Sequence, residues 1–250
     1  MRRIVVTSGK GGVGKTTVTA TLGRKLARSG YRVVLIDGDV GLNNLDVVTA
    51  IERRVVYDMS DVLAGKCRAF QALVADTESP MRILPSSKDS TLLTAQAFRG
   101  IVDGFCEFDF VIIDCPAGIE HGFHRAVSAA DEALVVTTPS ASSIRDADKV
   151  IGLLSGYRLS DVSLVVNRIR PDMVVRGQMI GASEIASLLH TPPIGVIPED
   201  DMITLYQQLG SVPAGTVSDR AYDALANNVA NRTKNFVDVN YRRGFFRRRI

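Results

Sequence analysis

Cysteine and long apolar runs are both scarce in this chain. It has three cysteines in 250 residues, and no two of them form a CxxC pair. An odd, scattered set argues for a reducing compartment and against a disulfide framework or a zinc site. No stretch of about 18 apolar residues occurs, so no membrane-spanning segment is expected. The apolar run after Met1-Arg2-Arg3 is too short for a signal-peptide core.

Excess positive charge is absent from most of the chain. Residues 1–240 contain 25 Lys and Arg against 27 Asp and Glu, which gives a formal charge of −2. The last ten residues, YRRGFFRRRI, contain five arginines and no acidic residue. Because the body of a nucleic-acid-binding protein is usually basic, this distribution argues against nucleic acid as a partner.

Apolar, β-rich runs alternate along the chain with segments of helical periodicity, which predicts an α/β fold. Continuous apolar strands indicate a mostly parallel central sheet with helices on both faces. The predicted strands are 3–8, 31–37, 82–87, 108–114, 132–138, 162–168 and 193–198, and the predicted helices are 15–29, 92–105, 122–130, 142–155, 181–190, 200–209 and 219–235. Residues 39–80 are expected to alternate irregularly between loops and helices. No linker or change of composition precedes about residue 236, so we predict one domain over 1–236 and a tail over 237–250.

The segment from Gly9 to Thr17 reads GKGGVGKTT and contains the phosphate-loop spacing Gly-x-x-x-x-Gly-Lys-Thr. It follows a predicted strand and opens a predicted helix, which is the context of a three-layer P-loop NTPase fold. Backbone N–H groups are expected to bind phosphate, with Lys15 at the β- and γ-phosphates and the Thr16 hydroxyl on Mg²⁺. The predicted nucleotide-contacting residues are Gly11, Gly12, Val13, Gly14, Lys15, Thr16 and Thr17.

Two predicted strands end in acidic residues: VLIDGD in Asp37 and Asp39, and FVIID in Asp114. Because ligands bind at the carboxyl ends of the strands in an open parallel sheet, these side chains are expected near the phosphate loop. Asp37 and Asp114 are predicted to hold Mg²⁺ together with Thr16, partly through water. Asp39 is predicted to orient the attacking water. The alternative for each acid is a structural role in a helix cap or a turn.

A second lysine, Lys10, stands at the front of a loop that already has its phosphate-binding lysine. KGGVGKTT with this extra lysine resembles the deviant Walker A loop of the ParA/MinD ATPases. Further segments resemble the same family over nearly the whole chain: IDGDVGLNNLD (36–46), ERRVVYD (52–58), IIDCPAGIE (112–120), SSIRDADKVIGLL (142–154) and VIPED (196–200).

The resemblance implies an ATP-dependent homodimer in which Lys10 contacts the phosphates of the ATP bound by the partner. It implies slow ATP hydrolysis that a partner stimulates, with Lys10, Lys15 and Asp39 as the catalytic residues. Adenine recognition is implied for Asn167 and for the segment around Pro198.

The resemblance also implies two switch segments, 37–44 and 114–118, which a γ-phosphate orders and hydrolysis releases. The helix at 142–155 corresponds to the dimer seam of the family, where a MinC-like division inhibitor and a MinE-like activator dock. Arg145, Asp146 and Asp148 are therefore the predicted partner interface. From the residues alone, these three would form a solvated helix face, and whether a MinE-like activator acts on this chain stays open.

The basic tail is expected to bind anionic membrane lipids, because arginines are attracted to an anionic leaflet and aromatic side chains insert. Phe245, Phe246, Arg247 and Arg248 are the predicted membrane residues. The chain is then expected in the cytoplasm, and peripherally on the inner face of the cell membrane in its ATP form. The alternative is a merely solubilising tail.

The expected function is an ATPase switch that recruits a division inhibitor to place the division septum. Two alternatives come from the same family: a DNA-partitioning ATPase of the ParA type and a relative that regulates flagellar number. A redox member would need a pair of cluster-ligand cysteines, and only Cys115 lies near the appropriate loop.

Overall fold

The centre of the protein is a twisted sheet, seen in a computed structural model that describes residues 1–41, 44–86, 93–200, 203 and 214–237. Its strands are β1 (Arg2–Thr7), β2 (Val33–Asp37), β3 (Val74–Ala75), β4 (Arg82–Leu84), β5 (Phe110–Asp114), β6 (Glu132–Thr137), β7 (Asp161–Ile169) and β8 (Pro193–Pro198). They lie in the order β3-β4-β2-β5-β1-β6-β7-β8. Only β3 with β4 is an antiparallel pair among these strands.

Helices connect the parallel strands, as crossover connections in such sheets require. They are α1 (Lys15–Arg28), α2 (Asn44–Val48), α3 (Met59–Leu63), α4 (Ala95–Asp103), α5 (His121–Ser128), α6 (Ala141–Leu154), α7 (Pro171–Val175), α8 (Ala182–Leu188) and α9 (Val217–Asn231). Side-chain oxygens of Thr94, Ser140 and Thr216 accept backbone N–H groups at the starts of α4, α6 and α9. These N-caps fix where the three helices begin.

An apolar core lies on each face of the sheet. On one face α1 and α9 pack with Leu22, Leu26, Tyr222 and Leu225. On the other face α4, α5, α6 and α8 pack with Phe98, Phe123, Val150 and Ile185. The strand residues between them are buried on both sides, which is why their sequences read as continuous apolar runs. The predicted three-layer α/β fold is confirmed.

The prediction from the sequence missed the shortest helices and strands. Helix α7 and strand β3 were not predicted, and α2 and α3 appear within the stretch expected to be irregular. The strand predicted at 82–87 ends at Leu84. The predicted helix at 200–209 and the tail at 237–250 lie almost wholly outside the described residues, so that helix and the domain boundary stay predictions. Within the described residues, no helix has the length and hydropathy needed to cross a membrane.

Asp46 in α2 is a buried carboxylic acid that makes the stability of the fold depend on pH. Its side chain is 4% exposed, and its Oδ1 has no hydrogen-bond partner among the described residues. Burial, and then the charges of Glu52 and Asp58, raise its pKa to about 6. Because this value exceeds that of an unfolded Asp, the contribution of Asp46 to stability is most favourable below about pH 4 and is lost as pH rises through about 6.

We expect Asp46→Asn to remove this pH dependence and to raise the free energy of unfolding at pH 7 by on the order of 1 kcal/mol, a figure reduced for solvent screening. Urea unfolding at pH 4.5 and at pH 7 measures the effect. Asp148→Asn, at an exposed carboxylate, is the control. An Asp46→Asn effect of equal size at both pH values would contradict the assignment.

Candidate nucleotide site

The candidate site lies at the carboxyl ends of the three central strands β2, β5 and β1. The sheet register pairs Asp37 of β2 with Asp114 of β5, and Asp114 in turn with Val6 of β1. The loop that follows β1 passes over this edge and continues into α1. The arrangement that the sequence predicted, a phosphate loop beside two strand-terminal carboxylates, is therefore present.

The loop has the backbone conformation that a phosphate site needs. Gly12 and Gly14 have φ angles of +79° and +92°, a region that residues with a Cβ rarely adopt. Gly14 is the N-cap of α1 and, having no side chain, makes no side-chain cap hydrogen bond to the first turn. That turn also has no acidic residue. The positive end of the helix is thus open to an anion.

Three side chains of α1 converge on the carboxylate of Asp114. Lys15 Nζ lies 2.9 Å from Asp114 Oδ1, and the Thr16 hydroxyl donates to Oδ2 at 2.7 Å. The Thr19 hydroxyl lies 2.9 Å from Oδ1. Lys15 and Asp114 are 8% and 1% exposed, so this is a buried ion pair.

Asp37 is fully buried beside this cluster. Its carboxylate accepts backbone N–H groups from Asp39 at 2.9 Å and from Leu45 at 3.2 Å. Burial, followed by repulsion from Asp114, nevertheless raises the pKa of Asp37 to about 8.

Two adjacent carboxylates and a threonine hydroxyl are hard oxygen donors, the type that Mg²⁺ prefers. A divalent cation would also relieve the repulsion between Asp37 and Asp114. Thr16, Asp37 and Asp114 therefore fit Mg²⁺ as predicted, although their roles as ligands stay a prediction.

Asp39 is half-buried at the start of the first predicted switch segment. Its Oδ2 lies 3.4 Å from Asn44 Nδ2, and its backbone oxygen accepts the Ser86 hydroxyl at 2.9 Å. Burial raises the pKa of Asp39, while the nearby Lys15 charge lowers it.

In the second switch segment, burial raises the pKa of the Cys115 thiol to about 12, so this thiol stays protonated. The switch behaviour itself stays a prediction.

Lys10 lies outside the buried cluster. Its side chain is exposed and donates to the Ser142 hydroxyl of α6 at 3.3 Å. Its neighbour Gly9 packs directly on the same helix: a Cβ built on Gly9 would lie 2.2 Å from the carbonyl oxygen of Asp146. The front of the phosphate loop is therefore in direct contact with α6, the helix that carries the predicted partner interface.

Asn167 contacts the loop from strand β7. Its amide nitrogen donates to the Val13 carbonyl at 2.8 Å, and its side chain occupies the space beside Gly14. Pro198 ends the neighbouring strand β8, with Ile169 of β7 as its register partner. Both residues thus lie at the site edge of the sheet, and their contact with adenine stays a prediction.

The predicted partner residues are on the surface of α6. Arg145 and Asp148 are exposed, and Asp146 is half-buried with Lys149 Nζ 3.4 Å from its Oδ1. Arg145 and Asp148 also line an apolar groove of about 540 Å³ between α6 and α8. The predicted membrane residues Phe245, Phe246, Arg247 and Arg248 lie outside the described residues.

Sequence reasoning missed four contacts of the site: Thr19 on Asp114, Ser142 on Lys10, Gly9 on Asp146 and Asn167 on Val13. Each joins residues that are more than 90 positions apart. The one signal available was a threonine on the buried face of α1, where packing alone would favour an aliphatic residue.

The fold and the loop place the chain in the class of nucleotide-binding P-loop proteins. Comparison with known proteins identifies its family within this class. A sequence profile of the CobQ/CobB/MinD/ParA nucleotide binding domain matches residues 4–211. The chain belongs to this family, which confirms the predicted resemblance. The septum site-determining protein MinD of Synechocystis is 50% identical over 213 residues, 84% of this chain and 80% of that protein.

Solved structures of relatives agree. The MinC:MinD cell division protein complex of Aquifex aeolicus contains a chain with a TM-score of 0.88 and 38% identity, over 95% of this chain and 98% of that chain. MinD of Pyrococcus horikoshii, solved in complex with Mg-ADP, has a TM-score of 0.81 and 30% identity, over 91% of this chain and 95% of that chain.

Proposed function

We propose that the chain is a Mg²⁺-dependent ATPase switch. With ATP it forms a dimer, binds the inner face of the cytoplasmic membrane through its tail, and recruits a MinC-like division inhibitor to place the division septum. The observation that carries the proposal is that the two lysines of the loop have different environments. Lys15 is buried on Asp114 within the site, whereas Lys10 is exposed at its mouth.

The residues of the chain can perform each part of this cycle. Lys15 exchanges Asp114 for the β- and γ-phosphates, while the open N-terminus of α1 binds the same phosphates through backbone N–H groups. Thr16, Asp114 and Asp37 would hold Mg²⁺, which neutralises charge on the phosphate oxygens when bound. Asp39 orients the water that attacks the γ-phosphorus as the bond to the β,γ-bridging oxygen breaks, so that ADP and phosphate leave.

Lys10 supplies the link between ATP and dimerisation. An exposed ammonium at the front of the loop is free to leave its hydroxyl partner, Ser142, for the phosphates held by a second copy of the chain. ATP has one more phosphoryl group than ADP, so a lysine that binds in trans makes the dimer depend on ATP. Two copies of a weak basic tail then bind membrane more tightly than one, through avidity.

Support for the partner comes from two sources. The Aquifex relative was solved in complex with MinC. In this chain, helix α6 presents Arg145 and Asp148 beside an apolar groove and also touches the phosphate loop through Gly9. The affinity of a partner bound at α6 would therefore depend on which nucleotide the phosphate loop holds. This is expected of an inhibitor that is recruited only by the ATP form.

We expect the chain to sediment with anionic liposomes in ATP and not in ADP, and Lys10→Ala to abolish this difference. Deletion of residues 241–250 is expected to abolish the sedimentation in ATP. Lys66→Ala is the matched control, because Lys66 is an exposed lysine that pairs with Asp61 away from the site. Equal sedimentation in ATP and ADP would reduce the tail to a plain electrostatic anchor. Binding of the ATP form to DNA instead of liposomes would favour the ParA-type alternative.

A further inference from the structure

Thr19 is a buried polar residue that the functions proposed so far do not use. It lies one helical turn after Lys15 in α1 and is 0% exposed. Its hydroxyl is 3.0 Å from the Lys15 carbonyl and 2.9 Å from Asp114 Oδ1. The Lys15 carbonyl already accepts a backbone N–H within the helix. A buried hydroxyl is unfavourable unless it is bonded, and the contact with Asp114 Oδ1 is the shorter of the two contacts of this hydroxyl.

The two oxygens of Asp114 have different donors. Oδ2 accepts from Thr16, whereas Oδ1 accepts from Lys15 and Thr19. When Lys15 turns to the phosphates, Oδ1 loses its ammonium donor. Thr19 is then the one described donor left on Oδ1. Asp37 is the neighbour of Asp114 in the sheet register, so a freely rotating Asp114 carboxylate would meet another acid.

We propose that Thr19 is a positioning residue for Mg²⁺. By holding Oδ1 of Asp114, it keeps Oδ2 at the Thr16 hydroxyl, so that these two oxygens present a preformed pair of donors to the ion while Lys15 moves. Thr19 acts through Asp114 and touches neither nucleotide nor metal itself. The inference rests on the proposed function as a Mg²⁺-ATPase, and it adds a residue that sets metal affinity separately from nucleotide affinity.

The test compares Thr19→Val, which keeps the shape and loses the hydroxyl, with Thr19→Ser, which keeps the hydroxyl. Thr21→Val is the matched control, because Thr21 is a buried threonine of the same helix without a contact to Asp114 among the described hydrogen bonds. Binding of a fluorescent ATP analogue is measured in EDTA and then across a Mg²⁺ titration. Loss of a residue that orients a metal ligand typically weakens metal affinity about 10- to 100-fold.

We expect Thr19→Val to raise the half-saturating Mg²⁺ concentration by about 10-fold or more and to leave binding in EDTA unchanged. Thr19→Ser and Thr21→Val should match the wild type. If Thr19→Val folds poorly, Thr19→Ala must show the same selective loss of Mg²⁺ affinity. An unchanged Mg²⁺ midpoint, or an equal loss of binding in EDTA, overturns the positioning role. A wild type without any Mg²⁺-dependent binding overturns the proposed function itself, together with this inference.

Discussion

Replacing Lys15 with alanine is expected to weaken nucleotide binding by at least about 100-fold, the effect of truncating one partner of a buried charge pair. Lys15 is 8% exposed, its ammonium lies on Asp114, and it is the first residue of α1. Its charge is therefore applied inside the site, where water screens it little. Isothermal titration with ADP and Mg²⁺, in which the chain is expected to stay monomeric, measures the loss.

The same substitution is expected to lower the stability of the protein without added nucleotide. Removing the ammonium leaves the buried carboxylate of Asp114 with two hydroxyl donors and the acidic neighbour Asp37. Breaking a buried ion pair by removing one partner typically costs about 3–5 kcal/mol. The two hydroxyl contacts reduce that cost, so we expect a loss of about 1–3 kcal/mol in urea unfolding.

Lys10→Ala is the matched control for both measurements. Lys10 is exposed and has a single side-chain hydrogen bond, to Ser142, among the described residues. Its removal should leave the stability and the nucleotide affinity of the monomer nearly unchanged. If the two alanine substitutions had equal effects, the claim that Lys15 contributes to stability and monomer affinity and that Lys10 does not would be contradicted.

The core of the site was predictable because its parts are close in sequence or share one geometric rule. The spacing from Gly9 to Thr17 specifies the loop by itself, since each glycine and the lysine have fixed places in it. Asp37 and Asp114 are 77 residues apart, yet both end parallel strands. The rule that such ends meet at one edge was enough to bring them together. The register then paired them directly.

The remaining contacts were not predictable, because the sequence does not show which helix faces which strand end. The helical periodicity of 15–29 does not indicate that Thr19 of α1 lies against Asp114. Asn167 illustrates a related limit. The family resemblance implied a contact with adenine, whereas the structure shows its amide on the Val13 carbonyl of the loop. The two roles use different partners, and only the contact with Val13 is observed.

The short elements were missed for a simpler reason. Strand β3 has two residues, and helices α2, α3 and α7 have five each. A helix of five residues completes little more than one turn, so no repeating apolar pattern can form. Their ends are instead fixed by local contacts, such as the Asp58 side chain that accepts two backbone N–H groups at the start of α3.

Gly9→Ala is expected to lower the free energy of unfolding by about 1–3 kcal/mol, the usual cost of overpacking. The backbone of Gly9 is not left-handed, so the expected loss of stability comes from a steric clash and not from backbone strain. The new methyl carbon would lie 2.2 Å from the carbonyl oxygen of Asp146 and 2.4 Å from its carbonyl carbon. Both are backbone atoms of α6, so the loop and the helix must move apart.

Gly11→Ala is the control, because a methyl group there has its nearest neighbour, the Ala117 side chain, at 4.0 Å. Its effect on unfolding without nucleotide should stay within about 0.5 kcal/mol. A MinC-like partner should bind Gly9→Ala more weakly even when ATP is saturating, since the displaced helix carries Arg145 and Asp148. Equal stability of the two variants would show that the backbone of α6 at Asp146 can move away from the loop at little cost in free energy. The contact between the loop and this helix would then be too soft to couple the nucleotide to a partner.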